Sequence, residues 1–310
     1  MDTFVIQGRM KKYILLFTIT LITSSTFSQV RHLIPIQAKN NRTYITVKIG
    51  ELIIPNILLD TGFASDGLML FNPAYRDSLD VNRLTEVRIG GAGSGDDATA
   101  LMVEGASFSL GDLEISNKPV IILRNNPGFY SNGIIGYSIF GHYITEFNYD
   151  NNTMTLCDPG MAYIDNSWKT IPIYFKNNRI PWIDASVVID KKKPVLLSMY
   201  IDYAAGDAIV LLEKPGMKFS LPDDIEDILI GRGLSGDIYG KSGRISKLII
   251  GPFELSNIKA SFAPAEIRSK QDNADAILGN ESLRRFNLIF DYLNKKLYLK
   301  PNSHFSDPYN

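Results

Sequence analysis

Ile57-Leu58-Leu59-Asp60-Thr61-Gly62 is the stretch of this sequence best suited to chemistry. An apolar strand delivers one carboxylate into a tight turn. Thr61 can brace the turn with its hydroxyl, and Gly62 permits backbone angles and close approach that a side chain blocks. A lone triplet of this kind also occurs in ordinary strand-end turns. About 30 residues on comes Gly90-Gly91-Ala92-Gly93-Ser94-Gly95, which reads either as a mobile flap over a cleft or as a flexible hairpin tip. Other chemistries find little support. Cys157 is the only cysteine and sits in the run Met154-Thr155-Leu156-Cys157, where a small buried hydrophobe is expected. The three histidines, His32, His142 and His304, are scattered, so neither a disulfide nor a zinc site is expected, and no metal or other cofactor.

The elements that must hold Asp60 come in two copies. Gly133–Leu156 aligns with Ala276–Leu299 without a gap at an offset of 143, bringing Gly136 onto Gly279, Phe147 onto Phe290 and Tyr149 onto Tyr292. Leu110–Asn117 resembles Ile250–Asn257, and Ile34-Pro35-Ile36 with Lys39-Asn40-Asn41 matches Ile171-Pro172-Ile173 with Lys176-Asn177-Asn178. The matches keep their order along both halves, which marks an internal repeat. Tyr44–Ile49 and Leu297–Lys300 alternate apolar and polar residues, as half-buried strands do. Asn151-Asn152 and Asn294-Lys295-Lys296 predict hairpin turns in equivalent places. Short helices are expected over Tyr137–Tyr143 and Glu281–Phe286. The reading is all-β: two similar lobes about a pseudo-twofold axis, each with one short helix. The expected divisions are a first lobe at 29–157, a linker at 158–170, a second lobe at 171–302 and a tail at 303–310.

Composition narrows the surroundings. The 310 residues are 45% hydrophobic, enough for a sizeable core, and the formal net charge of -1 gives no field that would draw nucleic acid. Lys191-Lys192-Lys193 reads as a solvated turn. Lys11-Lys12, the apolar run Tyr13–Ile22 and the small-residue exit to Ser28 describe a secretory signal peptide over 1–28, with Met10 as an alternative start. The apolar run is short for a membrane span, which needs about 20 residues. The mature chain is expected outside the cytoplasm, periplasmic or secreted, as a monomer without stable membrane insertion.

The order apolar-Asp-Thr-Gly, glycine-rich flap, apolar-apolar-Gly and helix resembles retropepsins and each lobe of pepsin-like aspartic proteases. With Gly133-Ile134-Ile135-Gly136 and Ala276-Ile277-Leu278-Gly279 both present, the likeness spans nearly all of residues 31–300. It is closest to two-lobed aspartyl protease family proteins exported by bacteria, and implies β-barrel lobes and an endopeptidase acting on polypeptides. Two carboxylates at the lobe interface would then share one proton and activate a water. The resemblance makes Asp60 one of them and places the other at Asp202, 142 residues on, in Asp202-Tyr203-Ala204-Ala205-Gly206. There the family's Asp-Thr/Ser-Gly is replaced. Tyr203 is no small brace, and Ala204 is disfavoured if the turn needs a positive φ. Gly90–Gly95 is the expected principal flap, because its counterpart Gly231–Gly236 is interrupted by Arg232 and Leu234. Three readings remain open: an active endopeptidase, a peptide-binding pseudoprotease, and a β protein of another class.

Overall fold

Alternating apolar residues and asparagine- or glycine-bearing turns build 22 strands among the described residues of a computed structural model. The structure describes residues 30–79, 84–93, 95–160, 164–176, 179–190, 192–265 and 273–309. The expected signal peptide lies outside the described residues, as do Ser94, Asn177, Asn178 and Lys191.

The first half runs β1 (Arg31–Pro35), β2 (Gln37–Lys39), β3 (Arg42–Ile49), β4 (Leu52–Leu59), β5 (Leu68–Leu70), a 3-10 turn (Pro73–Ser78), β6 (Thr85–Ile89), β7 (Ala98–Leu110), β8 (Leu113–Leu123), β9 (Gly133–Ile135), helix α1 (Tyr137–Phe140), β10 (Ile144–Asn148) and β11 (Thr153–Cys157). The second half runs β12 (Lys169–Pro172), β13 (Tyr174–Phe175), β14 (Pro181–Val188), β15 (Val195–Asp202), β16 (Ile209–Glu213), β17 (Ile225–Gly233), β18 (Gly236–Ile250), β19 (Phe253–Pro264), β20 (Ala276–Gly279), helix α2 (Asn280–Leu283), β21 (Phe286–Asp291) and β22 (Lys296–Pro301).

The two halves are wound identically. One eight-stranded sheet has the order β2-β3-β4-β9-β5-β8-β7-β6 and the other β13-β14-β15-β20-β16-β19-β18-β17. Each curls back on itself, through β3–β7 and β14–β18. In each, the strand before the turn aspartate pairs in parallel with the apolar strand that precedes the helix, β4 with β9 and β15 with β20. The predicted turns hold, with positive φ at Asn152 (53°) and Lys295 (55°), two positions related by the repeat. Both helices are shorter than expected. α1 stops at Gly141, whose N–H returns to Tyr137 O at 2.9 Å, because the chain must reach β10 by Ile144. α2 begins one residue earlier than expected, at Asn280, and ends at Leu283.

A third sheet belongs to both halves. Its order is β1-β11-β10-β21-β22-β12, with β10 and β21 meeting antiparallel at the centre. Glu146 pairs with Ile289 there, and the offset of 143 carries the first onto the second. The pseudo-twofold axis therefore passes through that pair. Above it lies an aromatic cluster. Phe140, Phe147, Tyr203, Phe290 and Tyr292 are buried, with ring centroids 4.9 Å apart for Phe147–Tyr203 and 5.2 Å for Phe140–Phe290. Each such side chain contributes about 2–3 kcal/mol by leaving water, so the lobes share one core.

The C-terminal residues are docked. Arg285 is buried and donates from Nη1 to the carbonyls of His304, Phe305 and Asp307, and from Nη2 to that of Pro308. Tyr309 is buried with its ring against that guanidinium.

Candidate active site

Asp60 follows β4 and Asp202 ends β15, so the two related strands bring their carboxylates to the same place between the lobes. A Cβ built on Gly62 would stand 3.0 Å from Asp60 Oδ1 and 3.9 Å from Asp202 Oδ1. Both carboxylates thus face one point. Asp202 is 5% exposed, whereas Asp60 is half-buried.

The two turns have the same hydrogen-bond plan. Asp60 Oδ1 accepts from Gly62 N at 2.7 Å and Phe63 N at 3.1 Å. Asp202 Oδ1 accepts from Ala204 N and Ala205 N, both at 3.1 Å. The backbone closes each turn alike, Phe63 N to Asp60 O at 3.2 Å and Ala205 N to Asp202 O at 3.1 Å. Neither Gly62 nor Ala204 has a positive φ. The expected objection to Ala204 therefore falls away, since the turn demands no left-handed residue there. The glycines that the turns do require are Gly136 and Gly279. A Cβ on Gly136 would lie 2.2 Å from Asp60 O, and one on Gly279 2.1 Å from Asp207 O. Close packing of the helix-leading strand on the aspartate loop explains the repeated apolar-apolar-Gly.

Thr61 and Tyr203 occupy equivalent positions and work differently. Buried Thr61 donates from Oγ1 to Ile201 O at 2.7 Å and accepts from Tyr203 N at 2.9 Å, bracing its own loop against the opposite one. The Tyr203 side chain turns inward instead. Its hydroxyl meets that of Tyr149, which also contacts Thr43 Oγ1 at 2.8 Å, and Asn280 Nδ2 donates to Thr43 Oγ1 at 3.1 Å. Thr43 and Tyr149 belong to the first lobe, Tyr203 and Asn280 to the second. Burial, the leading cause, pushes the Tyr203 hydroxyl far above its ordinary titration, so it stays neutral. The sequence shows Tyr203 as a loss, and the structure shows a second brace of another kind. Tyr149 was legible only as a repeated aromatic.

The aspartates open onto a cleft of about 1070 Å³, just above the roughly 300–1,000 Å³ of small-molecule pockets. The first lobe lines it with Tyr44, Leu58, Met69, Phe71, Phe129 and Ile134; the second with Ile180, Val210, Ile230, Ala263 and Ile277. Gly90, Gly91, Ala92, Gly93 and Gly95, on the loop between β6 and β7, also line it. So do Gly231–Ser235, from the end of β17 and the turn that leads into β18. The tips of both hairpins touch. Ser235 N donates to Ala92 O at 3.0 Å, Gly95 N to Ser235 O at 2.6 Å and Gly91 N to Ser235 Oγ at 3.3 Å. The second hairpin, expected to be the lesser, supplies half of this contact.

Beside the first turn, Asp66 Oδ2 lies 2.9 Å from both Lys118 Nζ and His142 Nε2. Burial alone would raise the Asp66 carboxyl, but hydrogen bonds from Lys118 and His142 outweigh it and hold it below the usual range. In the second lobe Asp207, two residues before β16, accepts from Ser261 Oγ at 2.6 Å.

No protein-family model and no curated protein matches this chain. Among solved structures, the aspartic proteinase from Irpex lacteus superposes with a TM-score of 0.56, covering 91% of this chain and 100% of that one at 12% sequence identity. That likeness is one of fold: the chain has the two-lobed architecture of a pepsin-like aspartic proteinase.

Proposed function

We propose that this chain is an aspartic endopeptidase that hydrolyses extended polypeptides, with Asp60 and Asp202 as its catalytic pair. The carrying observation is the matched seating of the two carboxylates, each held by two backbone N–H groups, around one point on a cleft between lobes. Like charges so near one another favour a single shared proton. The ionised carboxylate takes a proton from water as its oxygen attacks the peptide carbonyl carbon, and the protonated carboxyl donates to the carbonyl oxygen. Collapse of the tetrahedral diol expels the amine, which takes up a proton, and leaves a new carboxyl terminus. Hairpin tips over the cleft suit a substrate in strand form. Export through residues 1–28 and action as a monomer belong to the same proposal.

The second reading is a peptide-binding protein of the same fold without efficient hydrolysis. The one-sided hydroxyl brace, present at Thr61 and replaced at Tyr203, favours it.

The test is digestion of a mixed peptide library by the full chain across a range of pH, with and without a pepstatin-type inhibitor. Asp60→Asn and Asp202→Asn should each lower cleavage about 1000-fold, and the double variant should be no worse, because the pair acts as a unit. Peptide binding without cleavage at any pH would select the second reading. Full activity in Asp202→Asn would remove the pair.

A further inference from the structure

Arg42 begins β3 in the first lobe, and its guanidinium reaches the second. Nε donates to Ala204 O at 2.9 Å, and Nη1 turns back to Asn40 O at 3.4 Å. This contact explains the glycine that ends the second turn. A Cβ on Gly206 would stand 2.9 Å from Arg42 Nη1 and 3.2 Å from Asn40 O. Gly206 makes room for a cation from the other lobe.

The carbonyl that Arg42 holds belongs to the peptide joining Ala204 to Ala205. The N–H of that same peptide donates to Asp202 Oδ1 at 3.1 Å. A peptide unit is conjugated, so a cationic donor on its oxygen draws electron density from its nitrogen and makes the N–H a stronger donor. Hydrogen bonds with a charged partner are also roughly twice as strong as neutral ones. Arg42, one amide and Asp202 therefore form a continuous polar line across the lobe boundary.

The first turn is backed differently. Arg179, which the repeat sets opposite Arg42, has Nη1 3.5 Å from Ala64 O and its guanidinium carbon 4.2 Å from the Tyr137 ring centroid. The N–H groups that serve Asp60 Oδ1 are those of Gly62 and Phe63, so the Ala64 carbonyl lies beyond the peptides that carry them.

We propose that Arg42 is a positioning residue for Asp202, holding and polarising the Ala204–Ala205 peptide that fixes the carboxylate. For catalysis this rests on the endopeptidase reading above. It identifies the charge that supports the turn where the usual triplet is lost.

The experiment compares Arg42→Met, Arg42→Lys and Arg179→Met in the full chain, by peptide-cleavage kinetics and by NMR of the Ala205 amide. Arg42→Met should lower kcat about tenfold with KM unchanged, the scale of one hydrogen bond to a charged group. Its Ala205 amide proton should move upfield and exchange faster. Arg42→Lys should recover part of both effects, and Arg179→Met should disturb both less. A wild-type kcat or an unshifted Ala205 resonance in Arg42→Met would overturn the proposal. If Arg42→Met does not fold, Arg42→Lys decides: a resonance and kcat between wild type and a tenfold loss support it, and wild-type values in both reject it. A wild type that cleaves no peptide defeats the endopeptidase reading instead, and the Ala205 resonance still decides whether Arg42 holds the loop.

Discussion

The hydroxyl of Tyr203, from the second lobe, hydrogen-bonds to that of Tyr149, from the first, inside a fully buried aromatic cluster. Restoring the family triplet with Tyr203→Thr and Ala204→Gly would empty the volume of a phenol ring and take a partner from Tyr149. That double variant should be destabilised by about 3 kcal/mol, within the range of large-to-small core substitutions. Tyr203→Phe keeps the ring and should lose only about 1 kcal/mol, because Tyr149 retains Thr43. Urea denaturation of the three proteins checks the order.

The hairpin tips should open together. Ser235 gives its N–H to Ala92 and its carbonyl to Gly95, so the amides of Ser235 and Gly95 report one contact. Both should show matched protection from hydrogen exchange in the free protein. Ser235→Pro removes one donor, and the Gly95 amide should then exchange about tenfold faster while amides of β5 and β8 stay unchanged. Independent exchange at the two sites would show that the tips move separately.

Asp275 gives the second lobe a pH-dependent anchor. Its carboxylate is 8% exposed and lies 2.9 Å from Lys214 Nζ and 2.6 Å from Lys218 Nζ, with Ser198 N donating at 3.1 Å. Burial works to raise its titration, but the bonds from Lys218 and Lys214 prevail and hold it below its ordinary 3.8. A carboxyl depressed by folding stabilises at pH above its unfolded titration, and that contribution is lost as pH falls through the folded value. Asp275→Asn should therefore cost about 2 kcal/mol near pH 7, and the difference from wild type should shrink as pH falls below the ordinary carboxylate range. Denaturation above and below that range measures it.

Removing residues 303–310 should destabilise the whole protein. Four backbone carbonyls of that segment accept from the buried Arg285 guanidinium. Without them a buried cation loses its acceptors, at a cost of about 3 kcal/mol. A truncated chain with wild-type melting would show that water replaces them fully.

What the sequence disclosed was what repeats. The offset between the halves gave the two lobes, the paired turns at Asn152 and Lys295, and the place to look for a second carboxylate. It did not disclose contacts between residues that differ. Tyr203 looked like damage because its partner Tyr149 is 54 positions away. The closeness of Gly206 to Arg42 was not legible, because Arg42 is separated from that turn by 162 positions. Ala204 is strained only if its turn needs a positive φ, and it does not; the demand for close approach sits at Gly136 and Gly279. Residues 303–310 gave no sign of docking, since the cation that holds them lies in the preceding helix-to-strand turn.

The pair at the pseudo-twofold axis decides which halves can associate. Two copies of the first half meeting edge to edge along β10 would set Glu146 directly against Glu146, a like-charge pairing that weakens a ladder. Two copies of the second half meeting along β21 would set Ile289 against Ile289 without that penalty. In the single chain Glu146 faces Ile289, and the repulsion never arises. One charged residue at the centre of the shared sheet thus disfavours a homodimer of first halves, a penalty that the union of unlike halves avoids.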